Sequence, residues 1–158
     1  MKRIVSTEMV VLAGLLAVPA VAGLEHQIGE KPVPPITDPR LFHLHKFFAQ
    51  HNSPLQELAP EFLTAADEND LDWRLLPSIS LVESSGGKFY RNNNVFGWDS
   101  CKQRFPSVRA SIHLVAAQLG TSRLYKDKGV DQILSIYNPR PEYSVRVKSV
   151  MRTIGALN

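Results

Sequence analysis

Hydrophobic residues recur through most of residues 39 to 154 at the three- and four-residue spacing that is typical of amphipathic α-helices. Thr37-Asp38-Pro39 supplies an N-cap candidate followed by proline at the first helical position, which predicts a helix over residues 39 to 51. Further helices are predicted from Ala59-Pro60, over 71 to 84, from Ser107, over 130 to 136 and over 143 to 154. Because strand-type alternation is scarce and no internal repeat is found, we expect an all-α fold.

The predicted helix over residues 71 to 84 has a start and an end that can be read from the sequence. Asp72 is a candidate N-cap, and Gly86-Gly87 is a typical C-terminal stop. Pro77 lies inside this segment, where it costs stability unless the helix kinks or its packing compensates. From residue 88 to 106 the periodicity is lost, and the asparagine run with Gly97 indicates a loop rich in turns.

The first 22 residues have the layout of a secretory signal peptide. Lys2 and Arg3 precede an uncharged apolar run from residue 9 to 22, which ends in Ala20-Val21-Ala22 and predicts cleavage after Ala22. This run is shorter than the roughly 18 to 20 residues that span a bilayer, although Glu8 at its edge leaves an uncleaved anchor open. We therefore expect an exported protein, located in the periplasm, at the cell envelope or outside the cell.

After the signal, residues 23 to 40 predict a Pro-rich lead-in, and residues 41 to 158 predict one domain of ordinary size. The net charge of +3 comes without a basic run, so nucleic acid is not an expected partner. Cys101 is the only cysteine, which excludes an internal disulfide and suggests an incidental or structural role. Because His43 and His45 point to different helix faces, we expect no metal; no cofactor is expected either, and the chain is expected to be monomeric.

Glu83 is a carboxylate that directly follows a run of apolar residues. Helical spacing places it on the face of Leu76 and Ile79, where poor solvation raises the pKa of a carboxyl group. Glu83 also lies in the last helical turn, where the negative end of the helix dipole destabilises the ionised carboxylate by roughly 0.3 to 1 kcal/mol and so raises its pKa further. A carboxyl that stays protonated near neutral pH can serve as a general acid. The alternatives are a buried carboxylate paired with Lys or Arg, and an exposed residue at a fraying helix end.

The segment after Glu83 offers groups that suit a sugar ligand. Ser84 supplies a hydroxyl, and Gly86-Gly87 lets the backbone approach without side chains. Aromatic faces suit the C–H faces of a sugar, and amides suit its hydroxyl and acetamido groups. The rings are those of Tyr90, Phe96 and Trp98, and the amides are those of Asn92, Asn93 and Asn94. Trp73, on a helix, is interpreted as a packing residue.

Three stretches, LDWRLLPSISLVESSGGK, NNVFGW and ILSIYNP, resemble in order the catalytic region of lysozyme-like peptidoglycan-cleaving enzymes, the lytic transglycosylases and bacterial endo-β-N-acetylglucosaminidases. The resemblance covers about residues 53 to 155 and implies a lysozyme-like helical domain with a catalytic cleft and Glu83 as the acid. The chain lacks the G-x-M-Q-like segment of the transglycosylases and has Tyr-Asn-Pro where they carry Tyr-Asn-Ala-Gly, which favours the glucosaminidase type. The substrate-binding residues that the resemblance and the loop chemistry indicate are Ser84, Asn94, Phe96, Gly97, Trp98 and Tyr137.

These features predict an exported enzyme that cleaves the β-1,4 glycosidic bonds of peptidoglycan. Tyr137 would orient the acid or hold the acetamido group of the substrate, unless it is a core tyrosine. Glycosidases usually use two carboxylates, and Asp99 is the one candidate for the second. Otherwise the acetamido oxygen or the 6-hydroxyl of the sugar meets the cationic centre, which leads to hydrolysis or to a 1,6-anhydro sugar. The alternative function is a catalytically silent module that binds peptidoglycan or assists envelope assembly through the same cleft.

Overall fold

The structure, a computed structural model, describes residues 38 to 155, and these are largely helical. Short 3₁₀ turns occupy Gln56–Leu58 and Trp98–Cys101, and no strand is found among the described residues beyond an isolated bridge between Arg91 and Asn94. The predicted all-α class is confirmed for this part of the chain. In order, the α-helices are α1 (Pro39–Gln50), α2 (Ala59–Asp67), α3 (Leu75–Ser84), α4 (Val108–Thr121), α5 (Val130–Tyr137) and α6 (Pro141–Gly155).

Side-chain caps explain where α1 and α4 begin, and a proline explains the start of α6. The Asp38 side chain accepts a hydrogen bond from the Arg40 backbone N–H at 2.9 Å, as the N-cap prediction requires. Ser107 caps α4 in the same way by accepting from the Ala110 N–H. Helix α6 begins at Pro141, two residues before the predicted start, because proline at the first position lacks only an N–H that would be unpaired there.

The start of α3 differs from the prediction. Asp72 is not its N-cap: the carboxylate accepts from the backbone N–H of Arg74 and pairs with the Arg74 guanidinium at 2.6 Å, and the helix begins at Leu75. Pro77 is therefore the third helical residue. A backbone N–H at this position has no intrahelical partner, so the proline breaks no helical hydrogen bond and the expected cost is avoided.

Helix α3 is the central helix of the described domain. Its residues from 75 to 80 are all buried, including Pro77, Ser78 and Ser80, and it packs against α6 and α2. Helices α1 and α2 add aromatic rings to the same core: Phe47 contacts Phe48 on α1, and Phe48 contacts Phe62 of α2. Because α3 runs through the core, Glu83 at its last turn is held on a well-packed element.

Helices α2 and α4 are joined by an ionic cluster at their surface. The carboxylate of Glu61 pairs with the guanidinium of Arg109, and His113 Nε2 lies 2.7 Å from Glu61 Oε2. The glutamate side chain is mostly shielded from solvent, with 20% of its surface exposed. This cluster is a cross-link between two packed helices, and it borders neither of the two pockets described below.

The predicted signal peptide of residues 1 to 22 lies outside the described residues, as does the predicted lead-in up to residue 37. Helix α1 starts at Pro39, so the last residues of the predicted lead-in belong to the first helix rather than to a linker. Within residues 38 to 155, none of the helices combines the length and the apolar character needed to cross a bilayer.

Candidate active site

A pocket of about 630 Å³ opens where α3 ends, between the loop after it and helix α5. Four of the predicted site residues line it: Glu83, Gly97, Trp98 and Tyr137. The other three predicted residues, Ser84, Asn94 and Phe96, do not line it. The remaining lining residues, none of them predicted as sugar-binding, are Asp99, Ser100, Gln103, Tyr125 and Asn138.

Ser84 ends helix α3 instead of facing the pocket. Its side chain is buried; its hydroxyl donates to the Ser80 carbonyl at 2.9 Å and accepts from the Gly87 N–H at 2.9 Å. Ser85 adopts the left-handed conformation with φ 53°, and the Gly86 N–H returns to the Ser80 carbonyl. The predicted substrate contact of Ser84 is thus corrected, because both roles of its hydroxyl are taken by the helix end.

The Glu83 side chain projects into the pocket and is exposed, although Leu76 and Ile79 on the same helix are fully buried. The surrounding protein nevertheless excludes part of the solvent from its carboxylate, and this desolvation raises the pKa of the carboxyl group. Hydrogen bonding with the Tyr143 hydroxyl and the charge of Arg146 lower the pKa in part. The direction of the pKa shift and its largest cause, desolvation, agree with the prediction.

Gly97 forms the backbone wall directly beside Glu83. Its φ of +66° lies in the left-handed region, and a Cβ at this position would lie 2.5 Å from Glu83 Oε2. Only glycine leaves room for the carboxylate and also adopts this backbone conformation without strain. The contact with the predicted acid explains why a glycine stands in the NNVFGW stretch.

The three asparagines before Gly97 hold the loop together. The side-chain amide of Asn92 donates to the Cys101 carbonyl at 3.1 Å, and that of Asn93 donates to the Phe105 carbonyl at 2.9 Å. Asn94 is buried, donates to the Trp98 carbonyl at 2.8 Å and accepts from the Trp98 N–H at 3.0 Å. The predicted sugar-binding role is corrected for Asn94, which is buried and uses both its amide groups on the loop backbone. For Asn92 and Asn93, which are half-buried, it stays a prediction.

Aromatic rings form the opposite wall of the pocket. Trp98 contacts Tyr137 edge to face, with ring centroids 5.6 Å apart, and lies 6.1 Å from Tyr125. Tyr137 stacks on Tyr143 at 5.9 Å with nearly parallel planes. These contacts fix the orientation of the Trp98 ring, which is the predicted platform for a sugar.

Tyr137 and Phe96 support the pocket through a mutual contact. The Tyr137 hydroxyl donates a short hydrogen bond to the Phe96 carbonyl, so it is not directed at an acetamido group as predicted. The Phe96 ring is fully buried in the core and meets Phe62, which excludes it as a sugar contact. Desolvation and the nearby Glu83 charge raise the pKa of Tyr137, so its hydroxyl keeps the proton that the loop requires.

Two residues beside Glu83 were missed by the sequence prediction, Tyr143 and Arg146. They lie three residues apart on α6 and therefore share a helix face. The Tyr143 hydroxyl is buried and has no partner within hydrogen-bond distance among the described residues, yet it is near enough to stabilise the ionised Glu83. The only available signal was the amphipathic pattern of α6, which places Tyr143 inward without indicating what it faces.

Asp99 and Trp73 are the two other residues that the sequence singled out. Asp99 lines the same pocket as Glu83 and is exposed, with a left-handed backbone at φ 50°. Trp73 is partly buried against the core, in agreement with its predicted packing role. Within the described part of the chain, no three or more His, Cys, Asp or Glu side chains are grouped so that they could hold a metal ion.

Comparison with protein-family models, with the curated proteins and with the solved structures finds no match to this chain.

Proposed function

We propose that the protein is an exported enzyme that cleaves the β-1,4 glycosidic bonds of peptidoglycan, with Glu83 as the general acid. The observation that carries the proposal is a carboxyl group of raised pKa in a pocket of about 630 Å³. The pocket also offers the rings of Trp98 and Tyr137, and its volume suits a short segment of a glycan strand. The resemblance of the Glu83, NNVFGW and IYNP stretches to lysozyme-like enzymes supports the same function.

In the proposed reaction, the protonated Glu83 carboxyl transfers its proton to the glycosidic oxygen as the bond from this oxygen to the anomeric carbon breaks. The resulting cationic centre is met by the acetamido oxygen of the same sugar, and water then opens this adduct to a reducing end. Alternatively, the 6-hydroxyl attacks the centre and gives its proton to the Glu83 carboxylate, which yields a 1,6-anhydro sugar. Asp99 lies in the same pocket and is the candidate for stabilising the cationic centre.

The test is digestion of purified sacculi by the full-length protein, with mass spectrometry of the released fragments. We expect wild-type protein to release muropeptides, with a reducing or a 1,6-anhydro end that identifies the route. Glu83→Gln removes the transferable proton and should reduce release by about 10² to 10⁴-fold. Glu57→Gln, a matched change at an exposed residue outside the pocket, should leave the rate unchanged. Full activity of Glu83→Gln would contradict the proposal.

A second function uses the same cleft, namely a catalytically silent module that binds peptidoglycan or assists envelope assembly. The observation in its favour is that Tyr143 and Arg146 both stabilise the ionised form of Glu83, which opposes proton donation. Such a module would sediment with sacculi and release no fragments. Reduced sedimentation of Trp98→Ala, without any product from wild-type protein, would favour this function over the enzymatic one.

A further inference from the structure

A second pocket, of about 310 Å³, lies beside the candidate active site. One wall is the turn between α2 and α3, and the other is the end of α4 with the turn that follows it. Tyr125 lines both pockets, and its ring also contacts Trp98 in the first one. The two pockets therefore adjoin at Tyr125.

The second pocket carries charges of both signs that are not consumed by the protein. Asp70 and Asp127 line it together with Lys126 and Lys128. Within residues 38 to 155, none of these four side chains forms an ion pair or a side-chain hydrogen bond. Two cationic and two anionic groups are thus available to a ligand, in contrast to Asp131 and Lys148, which pair with each other at 2.6 Å.

Backbone contacts hold the two walls in place. The N–H groups of Lys126 and Lys128 donate to the carbonyls of Ser122 and Tyr125, which fixes the turn after α4. On the other wall, a Cβ at Gly120 would lie 2.4 Å from the Asn69 carbonyl oxygen, so the α2–α3 turn approaches α4 as closely as a glycine allows. Because both walls are built from hydrogen-bonded turns, the pocket is formed before a ligand arrives.

We propose that this second pocket binds a short peptide that carries free carboxylates and a free amino group. The carboxylates pair with Lys126 and Lys128, and the amino group pairs with Asp70 or Asp127. This inference rests on the proposed function, because in peptidoglycan such a peptide is the stem attached to the glycan strand. The strand occupies the Glu83 pocket, and the stem crosses Tyr125 into the second pocket. The protein thereby selects strands that still carry their peptides.

The first test measures binding directly and needs no catalysis. The probe is a synthetic stem tetrapeptide with a free side-chain amino group and free carboxylates, titrated into the full-length protein by NMR. Its matched control is the same peptide with acetylated amines and amidated carboxylates. We expect Lys126→Ala/Lys128→Ala and Asp70→Asn/Asp127→Asn each to weaken binding by about tenfold or more, as the loss of charge-assisted hydrogen bonds predicts.

Two variants control for a general change of charge. Arg152→Ala and Glu57→Gln alter exposed residues that line neither pocket, and they should bind the tetrapeptide as the wild type does. The inference is overturned if the charged and the blocked peptides bind equally, if neither binds, or if the two double variants bind like the controls. Resonance shifts confined to residues around Tyr125 and the two turns would support it.

The second test compares cleavage of intact glycan strands with strands from which an amidase has removed the stems. We expect kcat/KM to be about tenfold higher for stem-bearing strands, and the double variants to lose this preference. Equal kcat/KM on both substrates overturns the inference and leaves the proposed function standing. Absence of cleavage on both contradicts the proposed enzymatic function alone, since the tetrapeptide titration still decides whether the pocket binds peptide.

Discussion

Glu61 and Glu83 lie on consecutive helices, α2 and α3, and their surroundings differ. Glu61 is held by the cation of Arg109 and by His113 at 2.7 Å. Glu83 has no ion-pair partner among the described residues; its neighbours are the backbone of Gly97 and the Tyr143 hydroxyl, with the charge of Arg146 acting through space. A carboxylate paired with cations cross-links two helices. A carboxyl group that lies at a pocket between neutral groups has a raised pKa, which suits proton transfer to a ligand.

Among changes in the surroundings of the two glutamates, the largest effect is expected from Gly97→Ala, because Gly97 lies directly against the Glu83 carboxylate. The new methyl group would lie 2.5 Å from Glu83 Oε2, and displacement of a catalytic group by about 1 Å costs roughly 100-fold in rate. The positive φ adds about 1 to 2 kcal/mol of backbone strain. The assay is the initial rate of fragment release from sacculi.

Gly129→Ala is the matched control for that change. A Cβ at Gly129 meets no atom within 4 Å, and the residue has an ordinary φ of −73°. This variant should keep the wild-type rate and melting temperature. If Gly97→Ala were as active as Gly129→Ala, the contact between the glycine and the acid would have no catalytic importance.

Glu61→Gln should lower stability without altering the chemistry. The change removes the carboxylate that pairs with Arg109 and lies beside His113, while Glu68 stays 3.7 Å from the other ring nitrogen of His113. We expect it to reduce the free energy of unfolding by about 1 kcal/mol, as for a partly exposed cluster. Urea denaturation followed by circular dichroism measures the change. The variant should retain wild-type kcat/KM at temperatures where it is folded. An unchanged urea midpoint would show that the cluster contributes nothing to stability.

The stability of Glu83→Gln should differ from wild type in its pH dependence. The folded protein raises the pKa of Glu83 above the unfolded value, so the native state binds its proton more tightly. The wild type therefore loses stability as pH rises from the unfolded pKa of 4.5 through the raised folded one. Gln removes this loss, and at pH 7 the variant should be at least as stable as wild type. Urea midpoints from pH 4 to 8 test this, and a less stable variant at pH 7 would contradict it.

A smaller effect is expected from Tyr143→Phe. Its hydroxyl lowers the pKa of Glu83, so its removal raises that pKa and keeps the acid protonated to higher pH. The alkaline limb of the kcat/KM profile should move upward. Tyr90→Phe, at an exposed tyrosine outside the pocket, serves as the control. A downward shift would exclude the assigned interaction.

The smallest effect is expected from Arg146→Gln. The exposed guanidinium lowers the pKa of Glu83 through space, so its removal should also shift the alkaline limb upward, by less than Tyr143→Phe. Salt screens such exposed charges, and the difference from wild type should shrink between 0.01 M and 1 M NaCl. Arg152→Gln, farther along α6, should leave the profile unchanged. A shift that does not depend on salt would point to a local structural change instead.

The sequence was most informative where a structure depends on neighbouring residues. The helix starts at Asp38 and Ser107 follow from caps within three residues, and the all-α class follows from the period of the apolar positions. The start of α3 was placed too early, because Asp72 pairs with Arg74 and this pairing competes with capping. A single aspartate before an apolar run does not show which of its two local roles it will take.

The candidate site was predicted in part, for a related reason. Glu83, Gly97 and Trp98 lie within sixteen residues of one another in a motif-like order, so the sequence could group them. Tyr125 lines the same pocket and Tyr143 stacks on Tyr137 behind it, both from distant segments and through tertiary packing that no local pattern specifies. The asparagines of residues 92 to 94 show the limit of reading a side chain by its chemistry alone. Their amides suit a sugar, but in the structure they donate to backbone carbonyls of the same loop.

The packing of α6 against α3 has a consequence for the time at which the cleft comes into being. Glu83 is synthesised before Tyr143 and Arg146, which belong to a helix that starts at Pro141. During synthesis from the N-terminus, the carboxylate therefore exists for some sixty residues before its last neighbours are added. A nascent or truncated chain that ends before α6 holds the acid but lacks the residues that set its proton affinity. The pKa of Glu83 therefore takes its final value only when the last described helix is complete.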